Sequence, residues 1–221
     1  MDLHGLVVFV HILLLVFWLG TDVGVFALAK FAQKPVYSMD QRALCLKVAM
    51  LLDIPPRICM VLALPTGVWL ARDLKLFHLS FSALAVIFIF SLLWLGVVVM
   101  GIAKQGTGAG AQAKAVERIL LYFLALVLIG LGVASFVPGV DLMAHWLAVK
   151  LMALGLIAAG SHMIDHRFTP GIIAFQTMMA EGSSPAQEAL LNRSFDKTFF
   201  WVLFVYAMVL LAAFMGAVKP F

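Results

Sequence analysis

Six stretches of this sequence, at about residues 5–29, 43–71, 76–101, 119–137, 142–164 and 198–218, are each mostly apolar. Each is long enough, at about 20 residues or more, to cross the ~30 Å hydrocarbon core of a bilayer as an α-helix rising 1.5 Å per residue. Composition agrees. Of 221 residues, 64% are hydrophobic and 12% charged, against roughly 45–50% and 25% in soluble domains. A water-soluble core of this size has no room for eighteen Phe, five Trp and twelve Met. The runs are continuous, without the in–out alternation of barrel strands. The expected fold is therefore an all-α, polytopic membrane bundle of six transmembrane helices in a single domain.

The first run has no Lys or Arg before it and is interrupted by Asp22, so it reads as a retained helix and not a cleaved signal. Lys30, Lys34, Arg42, Lys47, Lys104, Lys114, Arg118, Arg167, Arg193 and Lys197 fall at one end of the bundle. Only Arg72, Lys75 and Lys219 fall at the other. By the positive-inside rule the ten-charge end is expected in the cytoplasm and both termini outside, on the periplasmic side. The net charge of +4 records this orientation and does not point to nucleic acid. Cys45 and Cys59, fourteen apart on what reads as one helix, are too distant to pair. Pro55-Pro56 predicts a kink midway along the second span. Residues 102–117 read as a flexible linker, since the Gly-rich string at 106–110 follows no strand. Residues 168–197 read as the longest loop, with Ile172, Ile173, Phe175 and Met178 lying along the membrane surface. Ser184-Pro185-Ala186-Gln187 then starts a short helix.

Ionisable residues in hydrocarbon cost at least ~2.5–3.5 kcal/mol each and mark function by default. Asp22, Asp53, Arg57, His11 and Lys150 lie within spans, with His4, His78, His145 and His162 nearer the ends. At ~1.5 Å per residue His11 and Lys150 are roughly 9 and 12 Å below the terminal end, and His78 and His145 roughly 3–5 Å. Asp53 and Arg57 share a helix face as an i,i+4 pair. With Asp22 they form either a charge-neutralising cluster or a proton path, or an anchor for an anion such as a haem propionate.

Two histidines on different helices can hold one haem axially. His11 with His145, or with His78, meets the depth condition. His145 and His162 are seventeen apart, about 100° out of phase, so a stacked pair of haems is not encoded. The same three histidines suit copper(I), although Met50, Met60, Met100, Met143 and Met152 form no cluster. No hydrolytic arrangement or nucleotide fingerprint is present.

Helix one carries His11 followed seven residues later by Trp18-Leu19-Gly20. A later helix carries His145-Trp146-Leu-Ala-Val-Lys150-Leu. These short motifs resemble the copper-resistance D family and the related small bacterial membrane protoporphyrinogen oxidases, which are haem-binding helical bundles. The resemblance implies a haem held in the bundle, His11 as an axial ligand and Lys150 as a catalytic or binding group. Asp53-Ile-Pro-Pro-Arg57 has no place in either pattern. The expected function is a membrane redox protein with one b-type haem near the terminal end, exchanging electrons with a quinone or porphyrin. His11, His145 and His78 are its ligands in that order, with Lys150, Arg57, Asp53 and Asp22 handling propionates or protons. The rival expectations are a copper or other metal permease using the same histidines, and a non-catalytic membrane subunit.

Overall fold

The computed structural model describes residues 2–220, which are helical apart from short turns. Seven helices follow in order: α1 (Leu3–Ala32), α2 (Met39–Leu52), α3 (Ile54–Asp73), α4 (Phe81–Ala103), α5 (Gly108–Ala134), α6 (His145–Glu181) and α7 (Pro185–Val218). Helices α2 and α3 together make one crossing, so six units are long and apolar enough to span a membrane. The outer surface matches that role, with Phe9, Val16, Leu93 and Leu126 all more than half exposed, which water would not tolerate over so large an area. The spanning units pack in chain order as a ring, α1 on α3, α3 on α4, and so on to α7, which closes on α1.

The break between α2 and α3 falls at Asp53, just before the two prolines. Pro55 and Pro56 then occupy the first turn of α3, where their missing N–H groups have no intrahelical partner to lose. Asp53 keeps helical dihedrals and its carboxylate caps nothing, leaving it free to pair elsewhere. Cys45 and Cys59 thus sit on two helices, not one, and neither is bonded.

Two expected loops are largely helix. The stretch 102–117 reduces to four residues between Ala103 and Gly108, closed by the Thr107 hydroxyl accepting from the Gly110 N–H at 3.2 Å. The expected loop at 168–197 reduces to Gly182, Ser183 and Ser184. Gly182, at φ +92° and ψ +158°, holds a conformation open in practice to glycine alone. Ser184 caps α7 as its motif predicts, but the helix it starts is not short and continues into the last span.

Helix α6 survives Pro170 because α7 repairs it. The Ser194 hydroxyl accepts from the Gly171 N–H at 2.9 Å and donates to the Arg167 carbonyl, inserting itself into the rung after the proline. Of the four residues expected along the membrane surface, Ile172, Phe175 and Met178 consequently pack inward with Leu191, Phe195 and Leu46, and Ile173 faces outward at 57% exposure. A Cβ at Gly171 would come within 2.8 Å of the Phe195 ring and 2.9 Å of Ser194 Oγ. Gly171→Ala is therefore expected to separate α6 from α7 and lower stability by about 1–3 kcal/mol, as overpacking does. A thermal melt in detergent checks this, and Gly182→Ala, which strains only the turn, makes a comparison that leaves the helix contact intact.

At the same basic end Arg42, 2% exposed, is held by a fork to Glu188 at 2.6 and 2.8 Å and donates to the Ala32 carbonyl at 2.7 Å. This node ties α1 and α2 to the start of α7, and its cluster is separate from the apolar centre formed around Trp18, Val61, Trp94 and Ile157.

Candidate functional site

Two polar centres lie within the bundle. The larger surrounds a cavity of about 150 Å³ toward the basic end, lined by α1, α2, α3, α5, α6 and α7. Arg57 sits in its wall. The Asp53 break makes this geometry, because it turns the Asp53 carboxylate back onto α3, where Arg57 Nε donates to Oδ2 at 2.6 Å. Arg57 Nη2 donates to Asp165 Oδ1 of α6 at 2.9 Å. Glu117 of α5 stands 3.9 Å from Nη1, beyond hydrogen-bonding distance. Asp22 of α1 completes the ring, and Asp53 and Arg57 are the charges that act on it.

The three residues expected to cluster, Asp22, Asp53 and Arg57, do line one cavity. Two acidic partners were not expected. Glu117 falls just before the expected span at 119–137 and Asp165 just after the one at 142–164, so neither counts among the charges within spans. Their signal was available: Glu117 is one turn from Lys114 and Asp165 lies between His162 and His166, each on a helix that continues well past its hydrocarbon segment. The donors of Arg57 on the Nε and Nη2 side are taken by carboxylates, so in this arrangement it faces acids and not an incoming anion.

The second centre lies toward the terminal end. His11 Nδ1 is 2.8 Å from Thr66 Oγ1 of α3. The Thr66 hydroxyl also lies 2.8 Å from the Leu62 carbonyl; with its proton donated there, its oxygen accepts from a His11 Nδ1–H. That leaves Nε2 as a lone pair, and no described protein group uses it. The ring lies against Gly67, where a Cβ would be 3.3 Å from His11 Cε1. Lys150 of α6 acts on His11 from across the bundle. Its ammonium rests over Gly216 of α7, 2.5 Å from where a Cβ would stand, and it has no ion pair among the described residues.

The other two candidate ligands are exposed, one at the start of a helix and one in a turn. His145 is the first residue of α6, exposed and stacked on Phe136 at 4.8 Å and 18°. His78 is exposed in the turn between α3 and α4. His4, one face-repeat before His11, bonds Asp73 at 2.6 Å. No protein-family model, curated protein or solved structure matches the chain.

Proposed function

We propose that this chain is an integral membrane redox protein that binds one b-type haem at the terminal end of the bundle and accepts electrons from a membrane-soluble donor of the quinol or porphyrinogen type. The supporting observation is the His11–Thr66 contact at 2.8 Å: with Nδ1–H given to Thr66, Nε2 is left as the ligating atom, the usual arrangement for a metal-binding imidazole fixed through its other nitrogen. The donor set fits a haem on one further point. Lys150 lies on the same side of the bundle with no carboxylate partner among the described residues, and its amine suits a propionate. His145, then His78, are the remaining candidates for a second axial position. A bound haem would supply a one-electron iron couple. The protein would sit in a bacterial inner membrane with its basic end in the cytoplasm.

Thr66 is the residue this reading adds. It touches no ligand and acts by holding the imidazole, so Thr66→Val should lower haem affinity by about 10–100-fold while leaving the fold intact. His11→Ala should lower it further. Haemin titrated into purified protein and followed in the Soret region tests both. Unchanged affinity in His11→Ala contradicts the assignment. Titrating the same preparations with copper(I) separates the metal-permease alternative, which uses the same imidazole.

A further inference from the structure

The cavity around Arg57 holds more acid than it can neutralise. Asp22, Asp53, Glu117 and Asp165 face one guanidinium, and the nearest further cation is Lys114, which acts on Glu117 and Asp53 from the rim. Arg57 distributes its hydrogen bonds unequally. Asp53 and Asp165 each take one, whereas Glu117, 7% exposed, takes none and stands 3.9 Å away. Its oxygens open on the cavity. A buried carboxylate needs a hydrogen-bonded counter-ion or a proton, because desolvating an unpaired charge costs several kcal/mol.

We propose that Glu117 is a proton-binding site, loaded from the basic end of the bundle by way of Asp165. The ligand is a proton: a Glu117 carboxylate oxygen and a proton combine to give a carboxylic acid, whose O–H then donates into the cavity. Asp165 suits the relay because its side chain is 50% exposed while it also lines the cavity that Glu117 lines, so a proton taken up there can reach Glu117 across the cavity. Arg57 holds Asp165 in place at 2.9 Å and does not itself carry the proton. The groups facing Glu117 are Arg57 from α3, Asp53 from the α2–α3 break, Asp165 from α6 and Lys114 on its own helix. Acidic side chains inside membrane bundles serve as such relays elsewhere. The site is distinct from the His11 centre. On α1, Asp22 is eleven residues from His11, about three turns along the same face, with buried Trp18 between them.

Infrared difference spectroscopy of the full chain in an ester-free detergent, titrated from acid to alkaline pH, reads this directly. The expected result is a carbonyl-stretch band of a protonated carboxylic acid near neutral pH that shifts in D2O, is lost in Glu117→Gln and is shifted in Glu117→Asp. Asp196→Asn, on an exposed pair with Lys30, should leave it unchanged. Asp165→Asn should keep the band but slow its exchange into D2O. A wild-type protein with no such band near neutral pH overturns the proposal, because all four carboxylates are then ionised. So does a band that Glu117→Gln or Glu117→Asp leaves in place, which would assign the proton to Asp22 or Asp53. If Glu117→Gln does not fold, the wild-type spectrum and Glu117→Asp decide. The haem plays no part in this readout, so its absence and the absence of the band are separate outcomes.

Discussion

Arg57→Leu is expected to lower the yield and the thermal midpoint of the folded protein sharply. The substitution leaves Asp53, Asp165 and Glu117 facing one another across the cavity without the guanidinium that bonds the first two at 2.6 and 2.9 Å. Removing one partner of a fully buried ion pair costs about 3–5 kcal/mol. Arg57 is 27% exposed and Asp165 50%, which lowers the cost per pair, but one cation here bonds carboxylates on two helical elements and faces a third. Such a loss is a large fraction of a whole margin of about 5–15 kcal/mol. Size-exclusion profiles and thermal midpoints in detergent measure it. Arg57→Lys keeps the charge but loses the fork that reaches two carboxylates, and should fold with a lowered midpoint. Adding Asp165→Asn to Arg57→Leu should recover part of the loss. If Arg57→Leu melts like the wild type, the cluster does not hold the helices together.

The second large effect is expected at Arg42 and Glu188. Glu188→Ala strands a guanidinium that is 2% exposed, leaving it the Ala32 carbonyl, the Met39 thioether sulfur at 3.5 Å and the Phe175 ring, 5.7 Å away. A loss of about 3–5 kcal/mol follows. The double replacement Arg42→Met with Glu188→Leu should restore much of it, because well-packed apolar residues often match a buried pair. The same node makes stability pH-dependent. The hydrogen bonds from Arg42 hold the Glu188 carboxyl below its usual range. Its contribution is therefore fully present above the unfolded glutamate value of about 4.3 and is lost as pH falls through the lower folded value. Glu188→Gln should lower the midpoint at neutral pH and remove that acid-side component from the melting profile.

Much of the fold was legible from apolar run length, because bilayer thickness sets the length of a crossing. The helix starts were legible too where chemistry is local. Ser184 and Pro185 mark the beginning of α7, and Pro55-Pro56 place a break within two residues of where it falls. The ends of the crossings were not legible, for the same reason the crossings were. A hydropathy window stops at the edge of the hydrocarbon, whereas α5, α6 and α7 continue beyond it on tertiary contacts. The clearest case is α6, where a proline that reads as a stop is repaired by Ser194, twenty-four residues further along the chain.

The candidate site divides in the same way. Asp53 and Arg57 are neighbours on one helical turn, and their pairing follows from spacing alone. Glu117 and Asp165 meet Arg57 only through the mutual rotation of α3, α5 and α6, which no single-helix periodicity records. Depth alone placed His11 and Lys150 in the same layer. It could not show that Thr66, fifty-five residues away, fixes the imidazole, or that Gly216 leaves room for the ammonium. Depth also grouped His78 and His145 with them, although both stand at the rim.

The most direct test of the functional account is the absorption spectrum of detergent-purified protein from cells grown with ample haem, recorded oxidised and then dithionite-reduced. The account predicts a Soret band with α and β bands that sharpen on reduction, lost in His11→Ala and retained in Asp196→Asn. A featureless spectrum from folded wild-type protein contradicts it.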